Sequence, residues 1–298
     1  MMDLTPLAWL AATLLTFAVP LWPAWRELRE RHDAAPLAVE GLADWPLEAH
    51  LGQANRWPLL TAMPAEADST DGLATLSTEA PTLVGRLKGA TRLIAPLHVR
   101  ALACDQAVTL EGGAQVSAVL VARSLTCLGQ VLLPHVVEVT DTATLSPGCR
   151  FFRLKARHIG PMAPAVQAQR ITGQTRLQSF GPLRLSAGHV LARDCVVHGD
   201  VVLEAGAQLI GSLKAHGRVL LENGAQVHGH LFAVDAIQLG EGAFVAGHVV
   251  SQSYLRVGAH SQLGTDTSPV TCTAPQIRLS ALARVHGSLN ATGMGIVR

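Results

Sequence analysis

The 298-residue chain carries 13 histidines, and several recur at a spacing that would bring them together in a regular fold. His230 and His248 are eighteen residues apart, His198 and His216 likewise, and His228 lies two residues before His230. Three imidazoles are enough to hold Zn²⁺. Glu204 and Glu222 repeat the same spacing, and paired carboxylates are the machinery of glycoside hydrolysis. His189, His216 and His260 are the imidazoles open to a transferase that needs a general base. Against these chemistries, the two glutamates have no aromatic sugar platform beside them, and no Gly-rich loop joins a strand to a helix to cradle phosphate. The expectation is therefore solvated faces and corners: no catalytic residue, no cofactor and no metal.

The element that positions all of these residues is a repeat. Residues 201–254 divide into three eighteen-residue segments, VVLEAGAQLIGSLKAHGR, VLLENGAQVHGHLFAVDA and IQLGEGAFVAGHVVSQSY. Leu203, Leu221 and Leu239 share one position, Gly206, Gly224 and Gly242 another, Ala207, Ala225 and Ala243 a third, and Gly211, Gly229 and Gly247 a fourth. A fixed short period sets the architecture before any local assignment. Within it, odd positions are small or aliphatic (Leu203, Ala207, Leu209, Leu213) and even positions are polar (Glu204, Gln208, Ser212, Lys214), the alternation of strands with one buried face. Aliphatic residues also fall six apart (Leu203, Leu209, Ala215, Leu221), so each period has three short sides. The fold class expected is all-β: a parallel β-helix with three short strands per coil of about 18 residues, each coil about 4.8 Å above the last. One coil cannot bury its core alone; stacking supplies the missing ladder bonds.

The same phasing extends outward. VTLEGGAQVSAVLVARSL (108–125) is in register, LRLSAGHVLARDCVVHGD (183–200) fits more weakly, and residues 162–181 are the expected site of a protruding loop. Near the end, residues 255–276 form a coil with extra residues around Thr265 to Pro269. The β-helix is thus expected over 84–298, as one stack of roughly eleven coils at the usual strand spacing.

The phrase Ala-x-Val/Leu-x-Gly-x-Leu/Val at Ala207 to Leu213, Ala225 to Leu231 and Ala243 to Val249, with the variant Arg284 to Leu289, resembles the bactofilins, bacterial polymer-forming cytoskeletal proteins. The resemblance is best over residues 183–294. It implies a right-handed β-helix that polymerises end to end without nucleotide at the inner face of the membrane, and a scaffold role in cell shape, cell-wall organisation or protein localisation. The partners it implies are further copies of the chain and the lipid bilayer, with cell-wall enzymes or other membrane proteins as clients. The alternative reading is a left-handed β-helix like that of hexapeptide-repeat acyltransferases, because LEAGAQ, LENGAQ and LGEGAF also fit a hexad pattern.

Leu4 to Trp25 holds no charged residue, which suffices to cross a hydrocarbon core of about 30 Å. Leu7, Leu14 and Phe17 are its apolar body, Trp9, Trp22 and Trp25 suit an interfacial belt, and Arg26, Arg29 and Arg31 follow it. With positive charge after the span and only Met1, Met2 and Asp3 before it, a single-pass anchor is expected. The β-helix domain is then placed on the cytoplasmic side of a bacterial inner membrane. Residues 1–32 are assigned as transmembrane anchor and basic juxtamembrane segment, and 33–83 as a partly disordered, membrane-proximal linker rich in Ala, Ser, Thr, Asp and Glu. The five cysteines are odd in number and lack metal-ligand spacing, which points to reduced thiols used as small apolar residues. A net charge of +1 argues against nucleic acid. Apolar residues at outward parity are the candidates for self-assembly: Phe232, Val234, Phe244 and Val250, with Met294 and Ile296 placed to plug an open coil end.

Overall fold

The computed structural model describes residues 74–161, 169 and 176–298. The expected anchor, with Leu7, Trp9, Leu14, Phe17, Trp22, Trp25, Arg26, Arg29 and Arg31, lies outside them. Among the described residues no helix is long and apolar enough to cross a membrane. What is described is an all-β solenoid of about 11 turns.

In its second half each turn consists of three strands, as in Val201–Leu203, Gln208–Leu209 and Leu213–Ala215. Each strand pairs in parallel with the residue eighteen further on: Val201 with Val219, then Ile237, then Leu255. Even spacing keeps one set of side chains inside, so Leu203, Leu209, Leu213, Leu221, Val227 and Leu231 are buried. The two glycine columns of the repeat have different causes. Gly206 and Gly242 have positive φ at a corner, with open space where a side chain would be. At Gly229 and Gly247 an added Cβ would lie within 2.7 Å of the backbone one coil below, so this column exists for close stacking. The register lengthens where expected: Leu255 pairs with Ile277, and the extra residues form a tight turn in which Thr265 and Ser268 exchange backbone hydrogen bonds.

The first half differs from the repeat. Thr91 pairs with Val108 and Val108 with Leu125, a spacing of seventeen. An odd period would turn every side chain over, and the corners absorb the difference. Buried positions run Val108, Leu110, Ala114 and Val116 in one turn and Leu125, Cys127, Val131 and Leu133 in the next. The solenoid also begins earlier than residue 84, with strand Ala74–Leu87 paired in parallel to Thr91–Cys104. Its segment ATLSTEAP has no hydrophobic period, but the turn above supplies its ladder and its threonines favour extended backbone.

The largest departure is topological. The turns form two stacks, not one interrupted by a loop. The first runs from Ala74 to Ile159 and the second from Leu177 to Val297, and their last turns face one another. Strand Arg284–Val297 pairs in parallel with Val270–Leu279 on one side and antiparallel with Arg150–Ile159 on the other. Two stacks of one hand that meet last turn to last turn wind in opposite senses at the contact, which accounts for this antiparallel pairing in an otherwise parallel sheet. Phe151, Leu154, Ile159, Val285, Leu289 and Val297 are buried there, and one core runs through both stacks. The expected role of Met294 and Ile296 is accordingly corrected: they lie in a strand already covered by its partner and plug no open end.

Candidate functional site

His230, His248, Glu204 and Glu222 prove to be acceptors for the backbone of a neighbouring coil. Along one corner the N–H of Ser212 donates to Oδ1 of Asp194, that of His230 to Oγ of Ser212, that of His248 to Nδ1 of His230, and that of Thr271 to Nδ1 of His248. Along another corner the N–H of Ala187 donates to Glu204 and that of Ala205 to Glu222. These groups satisfy N–H donors that the corner leaves out of the ladder. The rings of His230 and His248 stack at 5.1 Å, and those of His198 and His216 at 4.6 Å.

An imidazole nitrogen that accepts must be unprotonated. Burial, and then His230, hold the pKa of His248 below its ordinary value. A histidine whose folded pKa is below its unfolded one contributes stability that is complete above the unfolded value, about 6.5, and lost as pH falls from there through the folded value. The denaturation midpoint is therefore expected to drop between pH 7 and pH 5. His248→Asn, which keeps an acceptor near Nδ1, should drop less; an unchanged acid slope would remove His248 from the account.

The outward apolar residues are placed unevenly. Val234 is exposed, while Phe232 and Val250 are half-buried, with Lys214 Nζ lying 5.6 Å over the Phe232 ring. Phe244 is corrected from exposed to buried, at 1% accessible, and His228 is buried beside it with the two rings 5.5 Å apart. Their parity faces outward, but the backbone of Gln169 crosses here and donates to Nδ1 of His228. Met294 is exposed and Ile296 half-buried. His189, His216 and His260 are exposed, and none of them lines the cleft beside His158. All five cysteines are free and buried, in keeping with core use.

The chain matches no family model, no curated protein and no solved structure. Two places stand out by geometry. One is the first turn of the second stack, where Leu177, Leu183, Leu185 and Leu191 are only half-buried. Their register partners one turn on, Cys195, Val201, Leu203 and Leu209, are 1–2% accessible. Val190 in the same turn is 56% exposed and Phe180 81%. This turn is an open end among the described residues. The other place is the junction, where His158, Asp266 and His286 converge. His158 Nδ1 is 3.2 Å from His286 Nδ1, His158 Nε2 is 3.2 Å from Asp266 Oδ1, and His286 Nδ1 is 3.3 Å from the same oxygen. They line a cleft with Ile159, Gly160, Pro161, Arg284 and Val285. Sequence spacing offers no signal for this cluster, because its members lie on opposite sides of an antiparallel contact that a single continuous stack would not make.

Proposed function

We propose that this protein is a non-enzymatic, membrane-anchored scaffold of the bactofilin type, with a right-handed β-helix that assembles with copies of itself at the cytoplasmic face of a bacterial inner membrane. Cell shape, cell-wall organisation or protein localisation would be its field of action. The observation that supports this reading is the open end at residues 177–191. Its half-buried aliphatic residues and its strand edges, unpaired on one side among the described residues, form a template for another coil. The junction within the chain is a precedent, since there one terminal turn is closed by another. At the opposite end, strand Ala74–Leu87 is paired on one side only among the described residues.

The purified full chain, held in detergent for its anchor, is expected to form end-to-end strings or clusters in electron micrographs without added nucleotide. Val190→Lys, at an exposed position, should shorten or abolish them while leaving the circular dichroism spectrum unchanged. A monodisperse monomer at high concentration by light scattering would overturn the proposal.

A further inference from the structure

We propose that the cluster of His158, Asp266 and His286 is a binding site for a divalent transition ion, Zn²⁺ by its donor set, which clips the last turn of one stack to the last turn of the other. The proposal is independent of the scaffold reading, because it concerns what closes the junction inside one chain.

Each donor comes from a different segment: His158 from strand Arg150–Ile159, His286 from strand Arg284–Val297, and Asp266 from the tight turn between Thr265 and Ser268. One nitrogen from each ring and one carboxylate oxygen lie within 4.8 Å of one another. Ligands about 2.0–2.1 Å from a tetrahedral Zn²⁺ stand about 3.3 Å apart. The 3.2 Å contacts of His158 to His286 and to Asp266 use different nitrogens of its ring, so whichever nitrogen serves as ligand, two edges, at 3.2 and 3.3 Å, match that length and the third falls within the 4.8 Å span. The two rings meet at 80°, so they approach a common point from different directions and do not stack.

The backbone is built to aim them. Opposite strands are in register at Val285 with Ile159 and again at Gly287 with Ala156, so one strand carries an extra residue between those pairs. A bulge of this kind re-aims side chains. Glycine flanks the cluster on both strands. At Gly160, φ is +96° and a Cβ would lie 2.1 Å from the Ala283 carbonyl oxygen; at Gly287, φ is +124° and a Cβ would lie 2.1 Å from that of Val270. His286 is buried, His158 half-buried and Asp266 exposed, an order that leaves an approach from the Asp266 side. Three protein ligands leave a fourth position toward the cleft. Arg284 lines that cleft. The fourth position would take water or hydroxide. The competing account is a metal-free triad in which the Nδ1–H of His286 is shared between His158 and Asp266.

The test uses the full chain without a polyhistidine tag, stripped with chelator and titrated with Co²⁺ and then Zn²⁺. One equivalent of Co²⁺ should give the visible absorption of a low-symmetry site, and Zn²⁺ should abolish it. Saturating Zn²⁺ should raise the melting temperature by roughly 5–10 °C. Asp266→Asn changes an exposed side chain and should keep the wild-type circular dichroism, yet with His158→Gln it should lose affinity roughly tenfold or more. No cobalt spectrum and no thermal shift would overturn the proposal in favour of the metal-free triad. Unchanged binding in both variants would also overturn it, by assigning the ion to the His198–His216 or His230–His248 stacks.

Discussion

Gly287→Ala is expected to destabilise the protein by about 4 kcal/mol, from backbone strain and overpacking together. The residue has φ of +124°, and its new methyl would lie 2.1 Å from the carbonyl oxygen and 2.7 Å from the nitrogen of Val270. Both obstacles are backbone, held in the ladder between strands Val270–Leu279 and Arg284–Val297, so no side chain can swing aside. The natural control is Gly206→Ala. That corner also has positive φ, +69°, but nothing lies within 4 Å of the added atom. It should lose only about 1 kcal/mol, the ordinary cost of a left-handed alanine. Urea midpoints of the two variants separate the strain of φ from the strain of space. Equal losses would mean that the junction backbone yields, and that the close approach at Val270 is not a constraint.

Leu221→Ala should cost about 3 kcal/mol, through lost transfer energy and the cavity it leaves. Leu221 is fully buried in the middle of the column Leu203, Leu221, Leu239. Packed coils above and below hold the walls in place, so the cavity cannot collapse. Leu185 is the register partner of Leu203 in the first turn and is half-buried, and Leu185→Ala should cost about 1 kcal/mol. Because each turn contacts mainly its neighbours, Leu221→Ala should also broaden the unfolding transition or split it in two. Should Leu185→Ala prove as costly as Leu221→Ala, the first turn is covered, and the open end on which self-assembly rests is lost.

The strands and register of residues 201–254 were legible because an even period repeats one register three times, and both glycine columns appear in the letters. The insertion near Thr265 was legible as a break in that period. Residues 108–125 read in register with the eighteen-residue template although their turn is seventeen residues long, since the corners reset the side-chain alternation. Strand Ala74–Leu87 was hidden because its pairing lies in backbone bonds to Thr91–Cys104 and not in its own hydrophobic pattern. Phe244 and His228 were misplaced for a related reason. Parity reports which way a side chain points, not what approaches it, as the backbone N–H of Gln169 approaches His228. The meeting of the two stacks was invisible. Parallel and antiparallel neighbours require the same alternation, so His158 and His286 read as two unremarked histidines far apart.

The antiparallel junction also has a consequence in time. Its two strands are joined by contacts such as His158 to His286, 128 residues apart in the chain. During synthesis the last turn of the first stack is complete long before the strand that will cover it exists. At 5–20 residues per second, that edge waits on the order of ten seconds for its partner. Throughout that wait it presents open backbone groups and the apolar face of Phe151 and Leu154 to other nascent chains. Emergence of strand Arg284–Val297 from the ribosome, rather than formation of any single coil, becomes the moment when this edge can be closed.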